Sequence, residues 1–145
     1  MGRAMTAFGR EEAAALLAEK FAPWIQDLGI VFVEVSPERV LARLPNSPRL
    51  ARVGGMICGQ ALMALADTLM VFAVAARNGT FIDMATVGQS ISFYRAATGA
   101  ELLCEVTIAR MGRSLAFGHA RMHLDGRPAE PVAEATITYA LAGPR

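Results

Sequence analysis

GGMICGQALMALADTLMVFAVAA, residues 54–76, is the stretch whose reading decides the fold. It is a long apolar run with a single charged residue, the carboxylate Asp67. Burying a lone charge is costly, so either the fold brings Asp67 a partner or the carboxylate has a task. The run is long enough to span a bilayer, but an Asp near its middle costs about 2.5 to 3.5 kcal/mol on insertion scales. Both flanks also read as β-structure rather than as membrane-flanking loops. The expectation is a helix buried in protein, starting near Cys58-Gly59 and stopping at Arg77-Asn78-Gly79, where Asn-Gly is a termination signal.

On either side the periodicity changes. Ala13, Ala14, Leu16, Leu17 and Phe21 recur at helical spacing over Arg10 to Ala22, with Glu11 and Glu12 at the favourable N-terminal end and Pro23 as the expected stop. Ile30 to Val35 and Val40 to Leu44 read as strands joined through Ser36-Pro37-Glu38-Arg39. Beyond the long helix, Phe81 to Tyr94, Leu102 to Arg110, Leu115 to Leu124 and Val132 to Leu141 read as strands separated by Gly- and Pro-rich turns. The fold class is therefore α+β: an antiparallel sheet of about six strands wrapped around a long central apolar helix, with an N-terminal helix before it.

The chain of 145 residues fits one domain, read as an N-terminal helical segment over 1–27 and a sheet-and-helix domain over 28–145. Its 54% hydrophobic content and mean hydropathy of +0.37 are high for that size and point to surface covered by a second subunit. With 14 Lys+Arg against 13 Asp+Glu, no broad positive field marks a nucleic-acid binder. Cys58 and Cys104 do not make a disulfide framework and suit reduced thiols in a cytoplasmic protein. The first twenty residues have no apolar core or cleavage site of a signal peptide. The expected setting is cytoplasmic, without membrane or nucleic-acid partners.

On a helix, Gln60, Met63, Ala64, Asp67, Met70 and Val74 share one face. Asp67 is read equally well as a structural carboxylate satisfied by Thr68 or by an arginine, and as a general base or nucleophile. Gly59 at the helix start allows close approach to the unpaired first amides, which suit a developing oxyanion; alone, it would be read as a packing glycine. Cys58 has no histidine near it in sequence to activate it and is read as packing. His119 and His123 would face one metal on a helix, but on a strand they stand about 13 Å apart. No metal or cofactor is implied. Arg95, Arg110, Arg113, Arg121 and Arg127 are scattered near turns, where several could meet a phosphate-bearing substrate.

Three segments together resemble the hotdog-fold acyl-CoA thioesterases of the phenylacetate-pathway (PaaI-like) family: GGMICGQALMALADT, TVGQSISFYRAATGAEL and ARMGRSLAFGHARMHLDGRPAEPVAEATITYAL. The resemblance spans roughly Leu28 to Leu141. It implies that Asp67 is the catalytic carboxylate, that the Gly59 amide polarises the thioester carbonyl, and that Thr86 helps place the attacking water. It implies a site between two subunits of a homodimer or dimer of dimers, with Asp67 of one facing the glycine amide of the other.

Cys58 stands where the family has histidine, Gln60 where it has a second glycine, Arg52 where an asparagine is common, and Ala96 at the proline of the strand-end turn. Gln60 and Arg52 are candidate replacement donors, and Cys58, Arg95 and Arg113 complete the expected substrate-binding set. Hydratases of the same fold resemble an Asp followed five residues on by His, a position occupied here by Phe72. The expected activity is hydrolysis of an acyl-CoA or related acyl thioester. The alternative is a non-catalytic acyl-CoA-binding protein.

Overall fold

The computed structural model describes residues 7–142. Helix α1 spans Arg10–Lys20 and buries Ala13, Leu16 and Leu17. Its first turn is closed by the Glu12 carboxylate, which accepts a hydrogen bond from the Gly9 amide at 2.9 Å. Pro23, expected only to end this helix, instead opens a second short one, α2 (Pro23–Gln26). Proline is well placed in a first turn because the N–H it lacks would be unpaired there. The Gln26 Nε2 donates back to Phe21 O at 2.8 Å and fastens the corner.

Strands β1 (Val31–Val35) and β2 (Val40–Leu44) form a hairpin. The chain then passes through a single 3-10 turn, Pro48–Leu50, into the loop that carries the double glycine. Gly54 and Gly55 adopt φ of 101° and 82°, values that L side chains rarely take. They let the chain fold back, so that Arg52 N–H meets Met56 O at 2.9 Å and Cys58 N–H meets Leu50 O at 2.8 Å. This closed loop sets where helix α3 begins.

Helix α3 runs Gly59–Asn78 and ends at Gly79, whose φ of 89° allows its N–H to cap Ala75 O. By composition it could cross a bilayer, but 72% of its apolar window is buried inside the fold. The remaining strands are β3 (Met84–Phe93), β4 (Leu102–Met111), β5 (Leu115–Leu124) and β6 (Pro131–Leu141). They complete a six-stranded antiparallel sheet of order β1-β2-β4-β5-β6-β3, wrapped around α3.

Leu65, Leu69, Phe72 and Val74 of α3 join Val40, Leu44, Val106, Met122 and Ile137 in one core. Each such fully buried side chain contributes about 1.5–3 kcal/mol of transfer free energy. Phe72 stacks on Phe21 with centroids 5.3 Å apart and meets Phe32 edge-on at 4.7 Å, tying the N-terminal segment and β1 to the helix.

The face expected to be shared by Gln60, Met63, Ala64, Asp67, Met70 and Val74 divides along its length. Gln60 and Met63 are exposed and Ala64 and Asp67 half-buried, whereas Met70 and Val74 are fully covered. The open end of that face is therefore the first half of the helix.

Candidate active site

Strand β3 follows α3 in sequence but lies at the sheet edge beside β6. Simple alternation would put Thr86 on the face opposite Gln89, Ile91 and Phe93. A bulge at Val87 changes this: Thr86 pairs with Tyr139 and Gly88 with Thr138, so one extra residue is absorbed. Thr86 and Gln89 then both reach the helix. The Gln89 Nε2 donates to Met63 O at 3.2 Å, while its Oε1 is buried without a partner among the described residues.

Asp67 meets this edge. Its Oδ1 accepts from the Thr86 hydroxyl at 2.8 Å and from the Tyr139 hydroxyl at 2.6 Å. The Tyr139 oxygen also lies 2.8 Å from the Asp67 backbone carbonyl. One phenol proton cannot fully serve both acceptors, and the nearer, charged Oδ1 is the stronger. Oδ2 has no protein hydrogen-bond partner among the described residues. Burial, together with the adjacent Asp67 carboxylate, pushes the Tyr139 phenol well above its usual range, so it remains a donor at neutral pH.

The sequence expectation that Thr68 or an arginine would satisfy Asp67 is not met. Thr68 is buried elsewhere, and among the described residues no arginine forms an ion pair with Asp67. Hydroxyls on the two strands beside it do so instead. Tyr139 escaped sequence reading because its only signal is an aromatic residue with a polar tip on the apolar alternation of ATITYAL.

Gly59 is the first residue of α3, with Cys58 at the N-cap giving no side-chain cap. The Gly59 and Gln60 amides find no backbone acceptor among the described residues, as the first turn of a helix leaves them. The Phe93 ring packs on Gly59, and a Cβ there would sit 3.2 Å from its Cζ. Gly59, Phe93, Arg52, Met56 and Arg95 line a cavity of about 240 Å³. Eight residues of helix separate Gly59 from Asp67, or about 12 Å along the axis at 1.5 Å per residue. Within one chain the two cannot reach the same carbonyl carbon.

The other expected site residues fall in different places. Cys58 and Gln60 open onto a neighbouring hollow of about 270 Å³ with Trp24, Asp27 and Arg49. Arg113 lies in the β4–β5 turn, beside Lys20, Asn78 and Asp83 at the opposite end of α3. Arg95 also borders a second hollow shared with Arg127 and Asp125. His119 and His123 stand on strand β5, not on a helix.

An antiparallel sheet curled around one long apolar helix is the hotdog fold. The sequence model of the thioesterase superfamily matches residues 54–130, and the chain belongs to that superfamily. A candidate thioesterase from Silicibacter sp. TM1040 is 30% identical, with 95% of each chain covered and a TM-score of 0.82. A thioesterase from Haemophilus influenzae shares the fold at 15% identity, covering 96% of this chain and 94% of its own, with a TM-score of 0.83. The PaaI protein of the Escherichia coli phenylacetic acid degradation operon does so at 15% identity, with coverages of 92% and 94% and a TM-score of 0.77. No curated protein matches the sequence. Membership in this superfamily supports thioester hydrolysis as the general activity.

Proposed function

We propose that this protein hydrolyses acyl-CoA thioesters at a site shared by two copies of the chain, with Asp67 as general base or nucleophile and the Gly59 amide of the partner as oxyanion donor. The observation that carries the reading is the hydrogen bonding of Asp67: one carboxylate oxygen is held by two hydroxyls and the other has no protein partner among the described residues. Acting as base, Oδ2 takes a proton from water while the water oxygen bonds to the thioester carbonyl carbon. The C–S bond then breaks, the thiolate takes up the proton, and free acid and thiol leave. Acting as nucleophile, the same oxygen bonds to the carbonyl carbon as the C–S bond breaks and the thiolate leaves; water then hydrolyses the mixed anhydride, freeing the acid and the Asp67 carboxylate, and its proton goes to the thiolate. The expected water-placing role of Thr86 is compatible with its hydrogen bond to Asp67.

The two-copy site is supported by distance and by exposed surface. Gly59 lies too far along α3 to serve the Asp67 of its own chain. Strand β3 is an unpaired edge ten residues long, and Val87, Phe93 and Met63 stand 61%, 49% and 40% exposed along it and the adjoining helix. Pairing two such edges would cover this apolar surface. The preference for coenzyme A over another thiol carrier is supported by Arg52 and Arg95, which border the Gly59 cavity without a carboxylate partner among the described residues. Guanidinium groups in such a position suit the phosphates of the thiol carrier.

The test is a thiol-release assay over a series of acyl-CoA chain lengths, with Asp67→Asn beside wild type. Loss of the base or nucleophile is expected to lower kcat by about 10²- to 10⁴-fold. Equal rates for the two proteins overturn the reading. Tight acyl-CoA binding in calorimetry without turnover by wild type would mark a binding protein instead, the reading favoured by Cys58 and Arg52 standing where the family has histidine and asparagine.

A further inference from the structure

We propose that Tyr139 is a positioning residue for Asp67: with Thr86 it clamps Oδ1, so that Oδ2 alone is presented for reaction. The inference rests on the reading of Asp67 as base or nucleophile and adds a residue that this reading does not require.

Thr86 and Tyr139 are directly opposed in the β3–β6 ladder, so two neighbouring strands deliver hydroxyls to one oxygen. Their characters differ. Thr86 is exposed on the edge strand, whereas Tyr139 is only 3% exposed and has its ring fixed in the core. Its oxygen lies within reach of both the carboxylate and the backbone carbonyl of Asp67, and with its proton on Oδ1 it holds the side chain close to the helix turn that bears it. A carboxylate rotates easily about its last torsion, and two donors on one oxygen remove that freedom.

The groups recorded facing the carboxylate are Thr86 from β3 and Tyr139 from β6, and no cation or second carboxylate contacts it among the described residues. Removing either donor frees the carboxylate to turn, so the loss falls on the chemical step rather than on substrate binding.

The experiment compares wild type with Tyr139→Phe, Thr86→Val, Thr86→Ser and Asp67→Asn in the thiol-release assay, measuring kcat and KM. Tyr139→Phe is expected to lower kcat by about 10- to 100-fold, the value of a hydrogen bond to a charged group, with KM little changed. Thr86→Ser keeps the donor and should restore the kcat that Thr86→Val loses. If Asp67→Asn is inactive while Tyr139→Phe matches wild type, or changes KM rather than kcat, the clamp is overturned and the Asp67 reading stands. If Asp67→Asn is as active as wild type, the Asp67 reading itself falls. Should Tyr139→Phe fail to fold, Thr86→Val on the exposed edge decides: a lowered kcat that Thr86→Ser restores supports the clamp, and an unchanged kcat overturns it.

Discussion

Placing a single methyl group at Gly118 tests how the helix is held over the sheet. A Cβ built there lies 2.4 Å from Met70 Sδ, 2.9 Å from Met70 Cε and 3.3 Å from the Thr107 backbone oxygen. Favourable contact between such atoms begins at about 3.5 Å, so the sulfur would be more than about 1 Å too close. Methionine is flexible, but Met70 is 0% exposed and has no solvent to swing into. Either its side chain leaves its rotamer or α3 lifts from β5. Overpacking of this kind costs about 1–3 kcal/mol, which for a domain of this size lowers Tm by roughly 2–12 °C.

Met70 lies one helical turn beyond Asp67, so a lifted helix also loosens Asp67 from Thr86 and Tyr139. A misplacement of about 1 Å can cost on the order of 10²-fold in rate. The assay is thermal unfolding at fixed protein concentration together with kcat, for Gly118→Ala, Met70→Ala and the double variant. The truncation alone leaves a cavity and destabilises, but in the double variant the new methyl occupies part of that cavity, so the two losses should not add. A Gly118→Ala variant with unchanged Tm, or a double variant whose losses sum, would refute the packing argument.

Two further outcomes are expected. Cys104 is buried in the core, and burial pushes its thiol well above the usual range, whereas Cys58 is half-buried at the start of α3. A thiol reagent should therefore modify Cys58 in the native protein and Cys104 only after unfolding, with mass spectrometry of the labelled peptides as the check. Val87→Arg places a charge on the exposed bulge of the β3 edge; light scattering should show a shift toward monomer, and the assay a parallel loss of activity. An unchanged mass would remove this edge from the proposed contact.

Much of the architecture could be read from local pattern. The 20-residue helix starts at Gly59 and its C-cap Gly79 is a positive-φ glycine, as the apolar run and the Asn-Gly signal imply. The strand limits of β2 and β5 coincide with the sequence reading because burial alternates along both strands. Local pattern failed at Pro23, which forbids a helix only when it stands inside one and favours a first turn equally well.

The sequence by itself determined that a lone carboxylate sits on an apolar helix beyond a glycine at its start, because helical period and capping are local properties. Only the tertiary structure decided what Asp67 touches. The bulge at Val87 turns Thr86 inward, and the β3–β6 pairing brings Tyr139, 72 positions away in sequence, to the same oxygen. Register between strands and the place of a bulge depend on how the whole sheet closes over the helix. No short window of sequence contains that information.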